Sequence, residues 1–133
     1  MVEEFKEIYN KVAYGGGKGM KSVDEINISN KEKLILREIK EAVQRITPNA
    51  EIVFFGSRAR GEVAHESDWD ILILADNVTY ELKDELCTAL YDMELEKDII
   101  INPLILNKKE WVSGLFSNHP THRNVEREGV LIP

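Results

Sequence analysis

A chain of 133 residues with 43% hydrophobic and 31% charged side chains has the make-up of one ordinary globular domain around a single core. Seventeen Lys and Arg against 24 Asp and Glu leave a net charge of -7, which repels a polyphosphate backbone over most of the surface and confines any nucleic-acid contact to a local basic patch. The single cysteine, Cys87, excludes an internal disulfide and a cysteine-based zinc site; no apolar run reaches the ~20 residues that span a bilayer, and the acidic start is unlike a secretion signal, so the cytoplasm is the expected compartment.

Val2, Phe5, Ile8, Tyr9 and Val12 fall at helical spacing and predict a short amphipathic helix over residues 2–13. Gly15, Gly16, Gly17 and Gly19 end it, and with Lys18 they read as a linker. Met20 offers an alternative start, so the first nineteen residues read as an extension; the expected division is an N-terminal helix with its glycine-rich linker or extension over residues 1–29 and the domain proper over 30–133. Ser29 with Glu32 is a capping-box pair, and Ile35, Ile39, Ala42 and Ile46 continue as one apolar stripe, which predicts a helix from about 31 to 46. After Pro48 and Asn49 the run Glu51–Phe55 predicts a first strand that stops at Gly56. Residues 69–75 predict a second strand whose apolar run implies burial on both faces and a central place in the sheet. Leu82, Leu86, Ala89, Leu90 and Met93 mark a helix from about 80 to 94. Residues 98–106 predict a third strand, with Pro103 pointing to an edge or a bulge. A short helix around 108–114 and a loop through His119 and Pro120 complete the chain.

Asp68 and Asp70 stand two residues apart at the start of the second strand, so both side chains leave the same face with Cα atoms ~7 Å apart. Carboxylates converging to ~5 Å repel by roughly 3 kcal/mol at an effective dielectric of about 20, so a fold that keeps them together normally supplies a cation. Oxygen-only ligands favour Mg²⁺, and two such ions can clamp the attacking and leaving oxygens of a phosphoryl transfer. Asp98, opening the third strand, is the candidate third carboxylate, provided antiparallel pairing beside the second strand brings it to the acid pair; Asp92, Glu94 and Glu96 are its rivals. Gly56 and Ser57 follow the first strand and open a helical turn whose free amides suit a phosphate, and Arg58 or Arg60 adds a guanidinium, one of them rather than both being expected to touch it.

Gly56-Ser57, ten intervening residues, and then Asp68-Trp69-Asp70 resemble the signature of the minimal nucleotidyltransferases of the DNA polymerase beta superfamily. Gly61 in the loop, Ser67 before the first Asp, and the strands on either side extend the likeness over residues 31 to about 106, and Glu126 to Val130 is similar to the ends of such stand-alone domains. The resemblance implies that Gly56 and Ser57 bind the nucleotide triphosphate, Asp68 and Asp70 bind metal, and Asp98 is the third acid. It also implies an α+β fold with a small mixed β-sheet flanked by helices, and Mg²⁺-dependent transfer of AMP from ATP to a hydroxyl. Stand-alone members include antitoxins that modify a HEPN-type ribonuclease toxin, which makes a protein partner, or a second copy, the expected acceptor. Transfer to an aminoglycoside, transfer-RNA modification, and an inactive nucleotide- or partner-binding module are the alternatives, the second disfavoured by the acidic charge.

Other residues read more simply. Trp69 alternates away from the acids into the core, Cys87 is packing in an apolar helix, and His119 and His122 are surface residues of a polar loop. His65, between the two motifs, reads first as a solvated loop residue, and of the three histidines it is the one expected nearest to substrate.

Overall fold

The computed structural model describes residues 21–61, 68–113 and 119–132. The helix expected over 2–13, the glycine linker and His65 lie outside them. The elements run β1 (Lys21–Ser22), a 3₁₀ turn (Val23–Glu25), α1 (Asn30–Ile46), β2 (Glu51–Phe55), β3 (Trp69–Ala75), α2 (Tyr80–Lys97), β4 (Ile101–Asn107), α3 (Lys108–Val112), α4 (Pro120–Glu128) and β5 (Val130–Leu131). The strands form one mixed sheet in the order β1-β5-β2-β3-β4, so the α+β expectation holds.

Helix α1 starts where the capping box requires. Ser29 Oγ accepts from the Glu32 amide at 3.1 Å, and Glu32 Oε1 accepts from the Ser29 amide at 3.2 Å. Its stripe of Ile35, Leu36, Ile39 and Val43 is buried against the sheet. Helix α2 is capped by Thr79, whose Oγ1 accepts from the Leu82 amide, and it lies beside α1, with Lys97 paired to Glu38.

Two apolar clusters, one on each face of the sheet, account for the pattern of β3. Ile71 and Ile73 join the larger cluster with Leu36, Ile39, Leu86 and Leu90, while Leu72 and Leu74 join Val53, Trp111 and Val125 on the other side. All four strand residues are fully enclosed, each worth about 1.5–3 kcal/mol of burial. That is why an unbroken apolar run marks a central strand. Strand β3 pairs with β2 antiparallel and with β4 parallel.

The parallel β3–β4 pair corrects the expected antiparallel arrangement. The eighteen residues of α2 carry the chain back along the sheet, so β4 sets out again from the same end as β3. Strand β4 is an edge strand and accommodates Pro103, in keeping with the sequence. Residues 21–28, expected to belong to an extension, join the domain instead: β1 pairs with β5, and Val23 is fully buried in the core. The predicted loop at His119–Pro120 is the start of a helix, because a proline at the first helical position has no amide to leave unpaired. Two side chains also depart from expectation. His122 is buried against the Trp111 ring, 4.5 Å between centroids, and Cys87 is exposed.

Candidate active site

The antiparallel register of β2 and β3 sets Phe55 opposite Asp70, so the chain leaving β2 turns directly over that carboxylate. Gly56 makes the turn with φ +84°, and a Cβ on it would lie 2.0 Å from Asp70 Oδ2. Only a residue without a side chain fits there. The backbone continues as a single helical turn, the Arg60 amide donating to the Gly56 carbonyl at 3.1 Å and the Gly61 amide to the Arg58 carbonyl at 3.1 Å.

That turn sends the two arginines to different faces of the sheet. Arg58 lies on the α1 side, its guanidinium carbon 4.7 Å from the centroid of the Trp69 ring and its Nη1 3.5 Å from Glu32. Arg60 lies on the α4 side, where its Nη1 donates to both carboxylate oxygens of Glu128 at 2.8 Å. Asp70 shares that side through strand alternation, whereas Trp69 points into the core and is 2% exposed.

Parallel pairing of β3 and β4 sets Asn102 opposite Asp70, and its Nδ2 donates to Asp70 Oδ1 at 3.0 Å. Asp98 stands elsewhere. It is the exposed C-terminal cap of α2 in the left-handed region, φ +53°, ahead of β4, and it is not among the charges that act on Asp70. The structure therefore brings a neutral amide, not the expected third acid, beside the strand carboxylate. The parallel register starts β4 beside the head of β3 with Ile101 opposite Trp69, so Asp98, three residues ahead of Ile101, is left in the cap of α2 and Asn102 takes the place opposite Asp70.

Burial pushes the Asp70 carboxyl above the usual carboxylate range; the Asn102 hydrogen bond opposes this, the charges of Asp68 and Glu128 add to it, and Arg60 opposes it. Asp68 itself is exposed. Among the described residues, no group of three or more His, Cys, Asp or Glu side chains is arranged to hold a metal ion.

Asp70 lies in a cleft of about 470 Å³ with Phe55, Gly56, Ser57 and Arg60 on one side. Its other wall is built from Asn102, Pro103 and Leu104 of β4 and from Thr121, Asn124 and Glu128 of α4. Asn102 and the α4 trio were missed by sequence reasoning. Their spacing of three and four residues was the available signal, since it lines one helix face, but it becomes visible only once α4 is recognised as a helix.

The nucleotidyltransferase domain family matches residues 36–128. Two proteins of Methanocaldococcus jannaschii, each named "Putative protein adenylyltransferase", are 38% and 34% identical over 81 and 77 residues, which is 61% and 56% of this chain and 75% and 78% of theirs. A solved toxin-antitoxin structure with AMP-PNP aligns over 77% of this chain and 72% of its own, at 20% identity and a TM-score of 0.49. With the match spanning 93 of the 133 positions, the chain belongs to the nucleotidyltransferase domain family.

Proposed function

We propose that this nucleotidyltransferase transfers AMP from ATP to a hydroxyl of a partner protein, in the cleft around Asp70. The observation that carries the reading is the fit between Gly56 and Asp70: the glycine that opens the phosphate-side turn lies against the half-buried carboxylate, and both line one cleft with Ser57 and Arg60. The names of the two archaeal relatives support adenylyl transfer to protein. A HEPN-type toxin is the partner class suggested by the sequence resemblance, and the cytoplasm the compartment; no helix among the described residues is long and apolar enough to cross a membrane.

Asp68 and Asp70 would hold Mg²⁺. Their oxygens suit a hard cation, and the raised proton affinity of Asp70, caused by enclosure and by neighbouring negative charge, is the imbalance a divalent ion offsets. Two ions are expected from the sequence pattern, and bound metal supplies charge neutralisation at the reacting phosphate. The chain's own residues do the rest. Ser57 and Arg60 bind the β- and γ-phosphates, and Asn102 fixes the Asp70 carboxylate. The acceptor oxygen forms a bond to the α-phosphorus as the bond to the bridging oxygen of the β-phosphate breaks; pyrophosphate leaves on the Ser57 and Arg60 side, and the hydroxyl proton passes to a cleft carboxylate.

The test is incubation of the chain, Mg²⁺ and α-labelled ATP with proteins from its own source, followed by phosphodiesterase treatment of the labelled band. The reading expects a labelled protein that releases AMP, and no label with Asp68→Asn/Asp70→Asn. Label confined to small molecules would overturn the protein acceptor.

A further inference from the structure

Arg60, in the turn after β2, and Glu128, at the end of α4, meet at the cleft from positions 68 apart in sequence. One guanidinium nitrogen serves both carboxylate oxygens at 2.8 Å, so the pair is a short, charge-assisted contact. Its two halves are unequally exposed. The Arg60 side chain is 41% exposed, while that of Glu128 is 7% exposed, fixed in the last turn of α4. The arginine has open space to move into, and the carboxylate does not.

We propose that Arg60 is handed from Glu128 to the triphosphate when nucleotide enters the cleft, which makes Glu128 a positioning residue that stores the phosphate-binding guanidinium and sets nucleotide affinity. This rests on the reading of the cleft as a nucleotide site. Phosphate oxygens and the Glu128 carboxylate compete for the same guanidinium donors, and both line the same cleft. When Arg60 leaves, the enclosed Glu128 charge loses the cation that neutralises it, close to Asp70. The uncovering opposes nucleotide binding. Without nucleotide, the same pair ties the turn after β2 to α4 and so holds the two walls of the cleft together.

The experiment is a double-mutant cycle read by direct binding of a non-hydrolysable ATP analogue with Mg²⁺. Glu128→Gln keeps an oxygen for Arg60 but removes the competing charge, and it is expected to tighten binding by roughly three- to tenfold. In an Arg60→Gln background, where affinity is lower at the outset, the same change is expected to gain less than about twofold, because only the general loss of negative charge remains. Arg60→Glu/Glu128→Arg preserves the cross-cleft pair; it is expected to melt near the parent temperature yet bind as weakly as Arg60→Gln, which separates the hand-over from a merely structural role. An equal gain from Glu128→Gln in both backgrounds overturns the hand-over while leaving the nucleotide site standing. Absence of analogue binding to the unaltered chain overturns the site reading and the hand-over with it.

Discussion

Gly56 and Asp70 carry the site at the scale of single residues, and each makes a prediction. Gly56→Ala adds a carbon where Asp70 Oδ2 already stands and demands a φ that alanine resists, so it is expected to cost at least about 2 kcal/mol in denaturant unfolding and to abolish transfer. Asp70 works in the opposite sense. Its folded-state carboxyl is raised above the ordinary value of 3.8, so the protonated form is the one the fold favours; that stabilisation is present below the ordinary value and is lost as pH rises through the folded one. Asp70→Asn is therefore expected to raise the melting temperature at pH 7, to lose that advantage towards pH 4, and to be inactive throughout. Melting curves at the two pH values check it, and an unchanged or lowered melting temperature at pH 7 contradicts it. The strand that carries Asp70 and the turn at Gly56 were legible from the sequence pattern. Asn102 was not, because nothing local distinguishes it; only the β3–β4 register puts it beside Asp70.

Elements decide which of the predicted residues can act together. The capping box of α1 and the both-faces burial of β3 were readable because each writes a local pattern: a side chain three positions from its amide, or a strand apolar at every position. The direction of β4 was not readable in that way, since it follows from the length of the crossover rather than from the residues of the strand. The end of α2 was not readable either, and it leaves Asp98 in the helix cap, three residues ahead of β4. As a left-handed helix cap it is a position that favours glycine, so Asp98→Gly is expected to add about 0.5–1 kcal/mol of stability and to leave transfer within about twofold of the parent. Activity that fell more than about tenfold, with the fold intact, would return Asp98 to the role of third acid. Helix α4 shows the other limit, since its proline reads as a breaker unless the first turn of a helix is considered.

At the scale of the whole molecule, one sheet separates two apolar clusters, and the cleft opens on the side of the smaller one, between the turn after β2 and α4. The larger cluster, with α1 and α2, fixes the strands; the smaller one, through Trp111 and Val125, seats the helix that carries Thr121, Asn124 and Glu128. The chain is acidic overall, with a net charge of -7, and in the cleft the guanidinium of Arg60 faces the carboxylates of Asp70 and Glu128. The measurement that tests the central claim most directly follows ATP labelled in turn at the α- and γ-phosphates through one turnover with Mg²⁺, for the parent chain and for Asp70→Asn. The account predicts that the α-label passes to the acceptor, the γ-label leaves as pyrophosphate, and the variant does neither. Transfer of the γ-label, or full activity without the Asp70 carboxylate, would contradict it.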